Sequence, residues 1–136
     1  MTRDSGHITA FVVVMTSALL LIAGMVLDGG LILSARLRAV SEAQEAARSG
    51  AQAIELREYR QTGDVVLDPP RAVAEANAYL AGIGVDGEAH VRGDNVIVTV
   101  RRTQPTQILN ALGIDSVSVR ATGTAHPVRG ITEVMP

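Results

Sequence analysis

Apolar and polar positions along this chain of 136 residues follow three successive rhythms. From Ile8 to Leu27 twenty residues pass without a charge, and eleven of them are Leu, Ile, Val or Phe. At ~1.5 Å rise per residue a helix of that length spans ~30 Å, the thickness of a bilayer's hydrocarbon core. At about −0.3 to −0.6 kcal/mol each, those side chains favour insertion by roughly 3 to 7 kcal/mol, more than Thr9, Thr16 and Ser17 oppose it. Beyond Asp28-Gly29-Gly30 the rhythm becomes that of an amphipathic helix without proline. Leu33, Leu37, Val40, Gln44, Ala47, Ala51 and Ile54 alternate spacings of four and three. That spacing predicts a packing seam and a helix running to about Tyr59. The seam is mostly alanine, so its partner must come close.

The last third alternates with period two. Gln61 to Pro70 carries Gly, Asp and two prolines and reads as a loop. Arg71 to Ala81 places Val73, Ala76 and Leu80 on one helical face beside Tyr79, with Gly82 and Gly84 as the stop. Strands at 88–92 and 96–102 flank Gly93-Asp94-Asn95, a hairpin signal. Gln104-Pro105 opens a short helix with Ile108, Leu109 and Leu112 inward, closed by Gly113. In Ser116–Ala125, Val117, Val119, Ala121 and Ala125 face one way, and Ser118, Arg120, Thr122 and Thr124 the other.

The expected fold class is therefore α+β: a long N-terminal transmembrane helix continuing into a small domain with a three-stranded antiparallel sheet and short helices. Its expected divisions are a short tail at 1–7, a transmembrane helix at 8–28, a helical extension at 29–60, a small domain at 61–126 and a flexible tail at 127–136. One apolar face of the sheet needs a cover, which the outer part of the long helix can supply, with the 71–81 helix sharing the task. In shape alone this resembles the general architecture of pilin-type subunits.

Composition adjusts this picture in three places. Outside the apolar run the aromatics are Tyr59 and Tyr79, so the core is small and buries little area per residue. Net charge is −2 with both signs interspersed, which leaves no basic footprint for nucleic acid. The absence of cysteine excludes disulfides, thiolate metal sites and Cys nucleophiles. A cleaved signal peptide has a shorter apolar region and a small-residue cleavage site; this run is longer and ends in Met-Val-Leu-Asp-Gly-Gly, as a retained anchor would. Arg3, offset by Asp4, faces Arg36 and Arg38 across the run. Counted literally, that places the large domain in the cytoplasm, by a margin of one or two charges.

Candidate chemistry is sparse. His7, His90 and His126 have no ligand spacing, and no serine lies in a nucleophile-elbow context. Gly29-Gly30 follows a membrane helix, not the strand a phosphate loop requires. Arg92-Gly93-Asp94 spells an integrin-binding tripeptide, a chance-level match where Gly and Asp already serve a turn. The reading is of a protein that is no enzyme and holds no cofactor or metal. Asp28 at the membrane edge either pairs with a cation on a partner or meets headgroup water. Ala46, Ala47, Gly50 and Ala51 permit close backbone approach, to a neighbouring helix in an assembly or to the chain's own sheet.

Particular residues add a family to this shape. Gly6 before the apolar run, Asp28-Gly29-Gly30 closing it, Arg36, and the segment Glu45-Ala46-Ala47-Arg48-Ser49-Gly50-Ala51-Gln52-Ala53 together resemble the TadE/TadF/TadG-like minor pilins of bacterial tight-adherence (Tad/Flp) pili. The stretches VIVTVRR, ILNALGI and VSVRATGTAHP are also similar to their later strand, short helix and final strand. The resemblance implies a bacterial cytoplasmic-membrane protein, single-pass, with its C-terminal domain outside, against the charge count. It implies a minor pilin or pilus-assembly subunit acting by helix packing. The partners would be other pilus subunits, the membrane assembly platform and the lipid bilayer, with no nucleic acid and no small-molecule substrate. Asp28, Gly30, Arg36, Arg48 and Gly50 would form the partner interface. Gly6 is the candidate processing site, but processed members carry Glu five positions on, where this chain has Phe11. That departure favours an uncleaved anchor. Two other readings of the residues are a single-pass binding or sensory domain and a soluble domain freed by signal cleavage.

Overall fold

The structure, a computed structural model, describes residues 5–128. The expected C-terminal tail from residue 129 on, and the first four residues, lie outside the described residues. Helix α1 (Ser5–Ala51) is followed by α2 (Leu56–Thr62), α3 (Pro69–Gly82), β1 (Asp86–Arg92), β2 (Asn95–Pro105), a 3-10 turn (Leu109–Leu112) and β3 (Ser116–Ala125). The fold is α+β, with the sheet antiparallel and ordered β1-β2-β3. Two compact units form. Among the described residues, one joins 5–34 with Thr103–Val117; the other joins Ala35–Arg102 with 118–128.

In the second unit the period-two pattern of the strands becomes a one-sided core. Val96, Val98 and Val100 on β2 are buried, with Val119 and Ala121 on β3. The hairpin register pairs Arg92 with Asn95, leaving Gly93-Asp94 as a two-residue turn. Gly93 takes φ 61° and, among the described residues, no other type of residue has positive φ, the pattern of a type II′ turn with glycine first. Arg92-Gly93-Asp94 is thus a hairpin tip. Helix α3 begins where Asp68 accepts a hydrogen bond from the Arg71 backbone N–H (3.3 Å) and Pro69 occupies the first turn. It buries Ala72, Ala76 and Leu80.

The cover over the sheet is α1, on a face that keeps Val40, Ala47 and Ala51 of the predicted seam and leaves Leu33, Leu37 and Gln44 outside. Ala35, Ala39, Ala43, Ala46, Ala47 and Ala51 are buried, whereas Leu33 and Leu37 are 58 % and 63 % exposed. Helix and strand approach too closely for leucine. A Cβ on Gly123 of β3 would overlap the backbone atoms of Ala43 and Gln44. The methyl groups of the alanine face fill that narrow gap, and the larger side chains turn outward.

The helix also ends before Tyr59. After Ala51, the N–H groups of Gln52 and Ala53 bond back three residues, to Ser49 and Gly50. Glu55 N–H then donates to Val66 O (2.8 Å) and Asp68 N–H to Ala53 O (2.9 Å), around an antiparallel bridge between Ile54 and Leu67. This long-range pairing takes the backbone groups a longer helix needs. Residues 56–62 re-form a separate helix, closed by Gly63 in the left-handed conformation.

Candidate functional site

Asp28 stands on α1 at the end of the apolar run and is 1 % exposed. Its Oδ1 accepts from the Gln107 N–H (2.8 Å), and its Oδ2 from the N–H groups of Ile108 (2.9 Å) and Leu109 (2.8 Å). One carboxylate thus gathers three consecutive backbone donors at the entry to the 3-10 turn, the role an N-cap residue plays from within its own chain segment. Bonds of this kind to a carboxylate are stronger than neutral ones, and each donor left bare in a buried place would cost about 1–3 kcal/mol.

One helical turn earlier, Gly24 is buried beneath Ile108. A Cβ at Gly24 would run into the Ile108 side chain, 2.6 Å from its Cγ1 and 2.7 Å from its Cβ. Gly24 and Asp28 are the buried positions between Gly6 and Gly30 of α1, and segment 107–109 covers both. The rest of the loop closes on itself. Thr106 donates its N–H to Asp115 O (3.0 Å) and its hydroxyl to Ile114 O, while the N–H groups of Ala111, Gly113 and Ile114 reach Ile108, Asn110 and Leu109 carbonyls. The turn is shorter than its pattern predicts, because β2 extends to Pro105. Leu112, expected inward, is 62 % exposed.

The other residues singled out by sequence are dispersed. A Cβ on Gly50 would lie 2.7 Å from Ala72 O and 2.9 Å from Val96 Cγ1, so this glycine is the point where α1, α3 and β2 meet. Gly30 has nothing within 4 Å of an added Cβ, and neither has Gly6. Arg36 is exposed. Arg48 is exposed and bonds Glu45 one turn back (3.3 Å). Asp28 and Gly50 therefore serve the chain's own fold, whereas Gly30, Arg36 and Arg48 face outward.

Sequence reasoning missed Gly24, Gly123 and the pair Glu42–Arg102. The Arg102 guanidinium grips Glu42 with two parallel bonds, Nε to Oε2 at 2.8 Å and Nη2 to Oε1 at 2.6 Å, tying α1 to β2. That hydrogen-bonded carboxylate raises the Arg102 pKa above its ordinary value. Gly24 and Gly123 carried no local signal, since a glycine in an apolar helix or an alternating strand is explained only by what lies across from it.

Among the described residues, α1 is long and apolar enough to cross a membrane, and its apolar part is almost wholly exposed. Residues 6–53, about a third of the chain and nearly coincident with α1, match the family model described as "Putative Flp pilus-assembly TadE/G-like". No curated protein and no solved structure matches the chain. Through its segment 6–53 the chain is therefore similar to the TadE-like proteins of Tad (Flp) pilus assembly.

Proposed function

We propose that this pilus-related protein is a membrane-anchored minor pilin or pilus-assembly subunit of a Tad-type pilus, working through helix packing and protein–protein contacts. The observation that carries the reading is the coincidence of the family match, residues 6–53, with α1, whose first part is exposed and apolar and whose later part is the alanine-lined cover of the sheet. An exposed apolar surface of that extent needs lipid or other helices around it. The anchor is single-pass and the C-terminal domain lies outside the cytoplasmic membrane. Phe11 in place of the recognition glutamate argues for an anchor that keeps Gly6.

Within this reading the partner-facing positions are those α1 leaves uncovered: Gly30, Arg36 and Arg48 from the sequence, joined by Leu33 and Leu37. Asp28 and Gly50 act from inside, by holding the shape that presents them. The test is a full-length chain carrying Gly30→Leu, Arg36→Glu and Arg48→Glu, expressed in a strain deleted for the native copy. It is expected to accumulate normally in the membrane while pilus assembly and co-purification of other pilus components are lost. Normal pili from that strain would refute the interface. Normal pili from the deletion strain itself would refute the pilus role. External protease should cut the domain in intact spheroplasts, and full protection would reverse the topology.

A further inference from the structure

The segment 106–114 has the attributes of an element made to meet lipid. Seven of its backbone N–H groups are taken within the chain: Asp28 takes those of Gln107, Ile108 and Leu109, and loop carbonyls take those of Thr106, Ala111, Gly113 and Ile114. Irregular backbone tolerates a low-dielectric surrounding only when its polar groups are satisfied in this way. Two of its apolar side chains are not tucked in. Leu112 is 62 % and Ile114 46 % exposed, in a unit whose other large exposed apolar side chains, among the described residues, belong to α1. Its level on α1 is set by two contacts. Ile108 sits on Gly24, inside the apolar run and ~6 Å along the axis before Asp28.

Resting on the membrane-anchor reading above, we infer that the 106–114 loop is a second bilayer-contacting element. Leu112 and Ile114 enter the leaflet at the C-terminal end of the apolar run, and the Gly24 notch and Asp28 clamp hold the loop there. The occupant of this apolar surface is lipid because the segment that bears it is seated on the apolar run itself, through Ile108 over Gly24. The polar side chains Gln107 and Asn110 in the loop, and Asp115 just after it, keep it in the interfacial layer, as in other shallow apolar insertions. The consequence is orientational. A helix fixed at one point can tilt and spin in a bilayer, whereas a helix with a second lipid contact on one side cannot.

The chain has no tryptophan, so a single introduced one reports its own surroundings. The full-length Leu112→Trp protein is reconstituted in phosphatidylcholine/phosphatidylglycerol vesicles, with Phe11→Trp as reporter for the helix and Tyr59→Trp as reporter for an exposed site outside the first unit. Lipids brominated on the upper acyl chain should quench Leu112→Trp and shift its emission to the blue, and should leave Tyr59→Trp unaffected. Added to Leu112→Trp, Gly24→Leu drives a side chain into Ile108 and should abolish the quenching at 112; added to Phe11→Trp, it should leave the bromolipid quenching of Phe11→Trp intact. Quenching of Phe11→Trp without quenching of Leu112→Trp overturns the inference and spares the anchor. Loss of both overturns the anchor itself. Persistence of quenching at 112 in the Gly24→Leu protein overturns the clamp. If the indole of Leu112→Trp is open to aqueous acrylamide in vesicles, and shielded only in cells making the other pilus components, the occupant is a protein and the lipid assignment falls.

Discussion

The two ends of α1 solve opposite problems with the same kind of residue. Between Gly6 and Gly30 the helix buries two positions, Gly24 and Asp28, and leaves its large apolar side chains outside. Between Ala35 and Ala51 it buries a face of alanines and Gly50, and leaves Leu37, Arg36 and Arg48 outside. In the first stretch the apolar surface belongs to whatever surrounds the protein. In the second the close fit belongs to the protein itself. Glycine marks the tight contact in both, Gly24 beneath Ile108 and Gly123 against Ala43. Small residues thus record how near a neighbour comes, and large ones record which medium the helix faces.

The most severe way to break this comparison is to fill the helix–sheet gap. Gly123→Leu places side-chain atoms where the Ala43 and Gln44 backbone lies, and the second unit should lose about 3 kcal/mol or more. Urea unfolding of the full chain in detergent, followed through Tyr59 and Tyr79, measures it. Membrane insertion should be unchanged, because the apolar run is untouched.

Next in size is Asp28→Ala, which strands three backbone donors. The amides of Gln107, Ile108 and Leu109 should exchange about 100-fold faster, matching a local loss of about 3 kcal/mol. The amides of Val96, Val98 and Val100 should keep their protection. Asp28→Asn, with one acceptor oxygen in place of two, should fall between. Uniform acceleration across both units would mean that Asp28 supports the whole fold and would dissolve the contrast.

Arg102→Met tests the ion pair that ties α1 to β2. Its side chains are 36 % and 20 % exposed, so Glu42 can hydrate when left alone. The expected loss is about 1 kcal/mol, shrinking at high salt. Smallest is Arg48→Glu, which removes an exposed pair on one helix face and should change stability by no more than about 0.5 kcal/mol. A larger change would place Arg48 in the fold and remove it from the proposed interface.

How much of this was legible beforehand differs by element. The β3 range was readable to the residue, since Val119 and Ala121 alternate with Ser118, Arg120 and Thr122 and a single pleated face explains all of them. Helix α3 was legible from Val73, Ala76 and Leu80, but its start was not: Asp68 and the two prolines, punctuation of a loop by composition, turn out to be its cap and first turn. Asp28 stood out as the lone acid at the end of an apolar run, but its partners could not be read, because backbone N–H groups leave no mark in a sequence. The four-and-three spacing on α1 puts Leu33 and Leu37 in one seam with Val40, Ala47 and Ala51, on the rule that an apolar stripe goes inward, yet the two leucines stay outside. That rule fails where the gap is narrow and the outside is itself a place for apolar side chains.

By itself the amino-acid sequence determined the apolar run, the three strands, the hairpin and the family-bearing segment, since each depends on local period, turn chemistry or composition. Tertiary structure decided where α1 stops, which of its faces is covered, and what Asp28 holds. Those outcomes depend on contacts between distant residues: Ala53 with Asp68, Ala43 with Gly123, Asp28 with 107–109. A distance across a fold is set by both partners at once, and no window along the chain contains both.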